Sequence, residues 1–75
     1  MEVTVTVHQE RGSFWSEIAE LPGCFASGRT LEELTEATAE AAGLYLWDLP
    51  AELRGELCVG GPCVVEVLPH SPSGP

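Results

Sequence analysis

Only one stretch of this chain repeats its apolar residues at the period of an α-helix, and that limits the fold more than any other feature. It covers residues 30–47 and is rich in Ala, Leu and Glu, whereas the segments around it alternate at the period of strands. One helix can cover one face of a sheet and no more. An α+β domain is therefore expected, with the second sheet face left without cover from the chain.

Thr30-Leu31-Glu32-Glu33 has the pattern of a capping box. The Thr30 hydroxyl should accept from the N–H of Glu33, and the Glu33 carboxylate should reach back to the N–H of Thr30. Glu32 and Glu33 also complement the positive end of the helix dipole. Turning about 100° per residue from Leu34 gathers Leu31, Ala37, Thr38, Ala41, Leu44 and Tyr45 into one stripe, expected to lie on the sheet. The other side collects Glu33, Glu36, Glu40 and Trp47 into an acidic column, with Glu32 and Gly43 beside it. Trp47 is thus expected off the core face.

Before the helix, Glu2-Val3-Thr4-Val5-Thr6-Val7-His8 alternates, placing Val3, Val5 and Val7 on one face and Glu2, Thr4, Thr6 and His8 on the other. Gln9-Glu10-Arg11-Gly12 turns the chain into a second strand over residues 13–20. Burying the Glu17 carboxylate would be costly, so Phe14 and Ile18 face the core and Trp15 the opposite side. Leu21-Pro22-Gly23 stops that strand and a short third one follows over residues 24–27. After the helix, Asp48, Pro50 and the Pro-Ala-Glu-Leu-Arg-Gly segment read as a connection, and residues 63–68 as a fourth strand. The helix then acts as a crossover that returns this strand beside the first in parallel. The expected architecture is a three-stranded antiparallel sheet, one covering helix and a returning fourth strand, βββαβ. It forms a single domain over residues 1–68 with a loose tail over residues 69–75.

The formal net charge is −9, from three bases, all Arg, and twelve acids. Without phosphate-neutralising cations the chain is not expected to bind nucleic acid or an anionic membrane, and a basic protein is the better partner. A domain this small buries only about 60% of its unfolded surface, so a homodimer or higher homo-oligomer is also expected. The start lacks the regions of a signal peptide and no apolar run is long, which points to the cytoplasm. Cys24, Cys58 and Cys63 then read as small apolar side chains, with no disulfide framework. Cys58 and Cys63 have no Cys or His pair nearby to complete a tetrahedral zinc site, and Cys24 has no adjacent base. His8 reads as a solvated turn residue.

Enzyme chemistry finds little support. A two-metal nuclease needs several carboxylates converging on the sheet, but Glu2, Glu17, Glu20 and Glu66 scatter over different faces and ends, and the one Asp is Asp48. No catalytic residue, metal or cofactor is expected. The acidic column Glu33, Glu36 and Glu40, with Trp47 as a rigid aromatic contact, is the candidate partner-binding surface, and its plain alternative is a solvated helix face. Trp15 and Glu17, on the uncovered sheet face, are the candidate dimer or partner contact.

Leu21-Pro22-Gly23-Cys24-Phe25, then Gly28-Arg29-Thr30-Leu31-Glu32-Glu33, then an Ala/Glu-rich helix ending Gly43-Leu44-Tyr45-Leu46, resembles the N-terminal domain of the HicB antitoxin family. With the preceding hairpin the resemblance spans residues 2–48. It implies a partial ribonuclease H-like fold and a cytoplasmic role in a type II toxin–antitoxin pair. There the domain would cover a HicA-like toxin, a small basic ribonuclease that acts on mRNA. Typical members add a C-terminal ribbon-helix-helix or helix-turn-helix domain, for which this sequence shows no counterpart, so operator binding is not expected of it. The alternatives are a metal-dependent nuclease-like enzyme, or an orphan oligomeric domain without a toxin partner.

Overall fold

The computed structural model describes residues 1–70; the end of the expected tail, residues 71–75, lies outside the described residues. The chain runs β1 (Glu2–Glu10), β2 (Ser13–Ile18), β3 (Phe25–Gly28), α1 (Leu31–Trp47), β4 (Ala51–Arg54) and β5 (Pro62–Pro69). The architecture is α+β as expected, but the sheet has five strands in the order β3-β2-β1-β5-β4, all neighbours antiparallel.

Two expectations about the second half are corrected together. The segment read as a connection is an edge strand, β4, and the last strand runs antiparallel to β1, with Val3 opposite Val65 and Val5 opposite Cys63. The helix is still a crossover, but it joins β3 to β4, the two edges of the sheet. β5 is the return arm of a hairpin and takes the central place beside β1. The strand also extends beyond residue 68: Pro69 belongs to β5, and the His70 N–H donates to the Pro50 carbonyl at 2.8 Å.

The alternation of β1 holds as read, with Val3, Val5 and Val7 buried under the helix. Ile18, Leu21, Cys24, Leu34, Leu57, Val65 and Val67 join them in one core, with Phe14 packed against it. Ser16 faces the same way, and its hydroxyl and that of Thr38 satisfy each other at 2.8 Å, both residues buried. A buried polar pair of this kind is tolerated because neither group is left unpaired.

The helix is rotated from the expected stripe. Its buried residues are Leu34, Thr38, Ala39, Ala42 and Gly43, while Leu31, Leu44 and Tyr45 are exposed. Size explains the difference. A helix lies closest to a sheet where its side chains are smallest, and Ala39, Ala42 and Gly43 supply that line. A Cβ on Gly43 would meet the Leu49 carbonyl and come within 2.6 Å of the Ala51 Cβ, so only glycine lets β4 close over the end of α1. Trp47, one turn beyond Gly43, follows the same line and is half-buried against the core, which corrects its expected place on the polar side.

At the helix start the Glu33 N–H donates to Thr30 Oγ1 at 3.0 Å, as read. The Glu33 carboxylate, however, accepts from the N–H of Arg29 at 3.0 Å rather than from that of Thr30. At the other end Asp48 adopts a left-handed conformation, its N–H donates to the Leu44 carbonyl at 3.2 Å, and the Leu49 N–H donates to that of Gly43 at 3.4 Å.

Candidate functional site

With α1 on one side, the other face of the sheet is open. Its residues include the second set of each alternation: Thr4, Thr6 and His8 on β1, Trp15 and Glu17 on β2, Phe25 on β3, Val64, Glu66 and Leu68 on β5, and Glu52 and Arg54 on the edge strand β4, where Glu52 also borders the α1 side. Strand register brings Trp15 opposite His8 and Glu17 opposite both Thr6 and Phe25. Two apolar members are well exposed, Phe25 at 60% and Val64 at 64%.

Trp15 is the organising side chain. His8 stacks on it with ring centroids 4.1 Å apart and planes 17° off parallel, and Phe25 lies 6.3 Å away in a tilted arrangement. The indole N–H donates to Glu10 Oε1 at 3.2 Å, and His8 Nε2 sits 2.9 Å from Glu17 Oε2. These contacts hold the half-buried Trp15 ring in one orientation beside the exposed Phe25. His8 is therefore not a solvated turn residue: β1 is a central strand, and the ring is half-buried between Trp15 and Glu17.

The acidic column on α1 divides. Glu36 and Glu40 are exposed and overhang an open groove of about 440 Å³ between α1 and β4, which Thr35, Pro50, Glu52 and His70 also line. Glu33 belongs to the helix cap and Trp47 to the core. Sequence reasoning missed Glu52, which the unrecognised strand β4 carries to the groove. The pattern Ala51-Glu52-Leu53-Arg54, apolar and polar in turn, was the available signal.

The acids meet few cations. Among the described residues, the side-chain contacts of a carboxylate with a basic group within 4.0 Å are His8 with Glu17 and, at 3.9 Å, His70 with Glu52, each ionic only when the His is protonated; no Arg approaches a carboxylate that closely. Glu66 lies between Glu2 on β1, a like charge, and Arg54 on β4, an opposite charge that register brings alongside it without a contact within 4.0 Å. Glu20 lies at the rim, where the Thr4 N–H and hydroxyl donate to its carboxylate at 2.6 and 2.8 Å and hold its pKa below the ordinary value. No group of three or more His, Cys, Asp or Glu side chains suited to a metal ion occurs among the described residues.

The cysteines depart from the reading of three buried apolar side chains. Cys24 is buried, and desolvation pushes its thiol pKa up. Cys58 is exposed and is joined to Cys63 in a disulfide.

No protein-family model matches the chain, and neither the curated proteins nor the solved structures provide a significant match. No helix among the described residues is long and apolar enough to cross a membrane.

Proposed function

We propose that this chain is a non-catalytic, cytoplasmic, HicB-like antitoxin module that binds a small basic HicA-type mRNA interferase and neutralises it by occlusion. The observation that carries this reading is the uncompensated surface acidity: twelve acids against three Arg, with no Arg–carboxylate pair within 4.0 Å among the described residues. Such a surface repels itself and gains most from a cationic protein, whose RNA-binding charges it would mask. Glu36, Glu40 and Glu52 at the groove supply the electrostatic contact. Trp15, Phe25 and Val64 on the open sheet face supply apolar area for a second copy, and the homodimer forms there.

Capture from native cytoplasm with the tagged full chain, followed by mass identification, should retain a small basic protein whose RNA cleavage stops on binding. The reading fails if the retained protein cleaves RNA undiminished, or if no basic protein is retained. With that partner in hand, Glu36→Lys combined with Glu40→Lys should slow association by about tenfold or more at low salt and leave the circular dichroism unchanged. An unchanged rate would remove the groove from the interface.

A further inference from the structure

β5 begins at Pro62, opposite Thr6, so it does not flank the second half of β1. A loop takes its place. Val59 forms a parallel bridge with Val7, and the Gly60 N–H donates to the Val7 carbonyl at 3.3 Å. Both residues lie inside the small ring closed by the Cys58–Cys63 disulfide, whose Cα atoms are 6.4 Å apart. Val59 and Gly60 share one shallow depression with His8, Glu10 and Trp15, so the ring forms a wall of the aromatic platform.

We propose that Cys58 and Cys63 form a thiol–disulfide exchange site, a latch whose closed state holds the ring on β1 beside Trp15 and whose reduced state releases it. Three features of the pair fit exchange. Cys58 is exposed whereas Cys63 is 7% exposed, so an incoming thiolate meets the Cys58 side first. The Cys58 N–H points at Cys63 Sγ at 3.0 Å, which stabilises that sulfur as a departing thiolate. Once protonated, the same sulfur has the carbonyls of Cys58 and Gly61 at 3.5 and 3.6 Å as acceptors, so the buried sulfur is satisfied in either state.

The reductant is a small dithiol. Its thiolate attacks Cys58 Sγ, the disulfide breaks, and Cys63 leaves as a thiolate and takes up a proton. The second reductant thiol then attacks the mixed disulfide and frees Cys58. Two electrons and two protons pass to the protein, and the reductant becomes a disulfide. The ring closes a short loop, so it constrains the unfolded chain less than a long-range disulfide would, and its structural effect is centred on the segment that it holds against β1. Here the latch rests on the cytoplasmic location proposed above, since disulfides in a reducing compartment are usually transient or redox-sensing. The latch does not depend on which partner the open face binds.

The test treats the full chain with dithiothreitol or with oxidised glutathione, then reads native alkylation by intact mass, amide exchange at Gly60 and the thermal midpoint. Oxidised protein should take no label, and reduced protein should take it first at Cys58, with Cys24 unreactive until unfolding. Reduction should speed Gly60 exchange by roughly tenfold or more and well beyond any change in β1 opposite β2, while unfolding stays cooperative with a modestly lower midpoint. Cys58→Ser should show the fast Gly60 exchange without reductant. A pair that stays reduced in oxidised glutathione overturns the latch. So does a Gly60 amide indifferent to reduction, or a reduced protein that loses cooperative unfolding, which would make the bond a global staple.

Discussion

The covered and open faces of the sheet are drawn from alternating residues of the same strands, yet they treat polar groups in opposite ways. Under α1, Ser16 and Thr38 are 1% and 0% exposed and depend on each other for their hydrogen bond. One residue along β2, Glu17 meets His8 at a comparable 2.9 Å, but with side chains 46% and 39% exposed. Water can replace either partner in the second pair and neither in the first. Equal distances therefore do not mean equal energies: the neutral buried pair is structural, and the half-exposed ionisable pair is free to serve as surface.

The contrast is broken most severely by truncating the core. Leu34→Ala, at a residue 0% exposed, should lose about 2–5 kcal/mol in urea unfolding. For a domain of this size that is most of its stability. Val64→Ala, on the open face at 64% exposure in the single chain, should stay within about 0.5 kcal/mol at dilutions where the chain is monomeric. At higher concentration the homodimer proposed above should make the loss larger, and a loss independent of concentration would remove Val64 from the dimer contact.

Next in size are the two polar pairs. Thr38→Val leaves the Ser16 hydroxyl buried without its partner and should cost about 1–3 kcal/mol, part of which returns when Ser16→Ala is added. A double-mutant cycle in urea measures the coupling. His8→Gln on the open face should cost no more than about 1 kcal/mol.

The smallest effect concerns Glu20 at the rim. Its folded pKa is depressed below 4.5 by the two hydrogen bonds from Thr4. The stability it contributes is therefore present above the unfolded pKa and lost as pH falls through the folded one. Glu20→Gln should be slightly less stable than the parent at neutral pH, and the gap should close on acidification below that range. Urea midpoints compared across pH check this, and a gap that widens in acid would reverse the assignment.

Much of the first half was legible because it rests on local rules. The alternation of Val3, Val5 and Val7, the turn at Gly12 and the Thr30 cap each follow from neighbours in sequence, and Trp15 duly lies on the open face. The helix face was misread because periodicity weighs large apolar residues, and here Ala39, Ala42 and Gly43 were chosen by distance to the sheet. Leu44 and Tyr45 stayed outside for the same reason. Glu36 and Glu40 were found as exposed acids, but their companion Glu52 was not, since β4 is four residues long and bracketed by Pro50 and Gly55.

By itself the order of residues determined that one helix would cover one face of a largely antiparallel sheet, that the other face would carry Trp15, and that the surface would be acidic. These depend on side-chain period and charge, which are properties of adjacent residues. Only the tertiary structure decided that β5 returns antiparallel beside β1, that Trp47 joins the core, and that Cys58 meets Cys63 next to Val7. Those outcomes depend on which distant segments compete for the same edge of β1, and that competition is settled by packing in three dimensions.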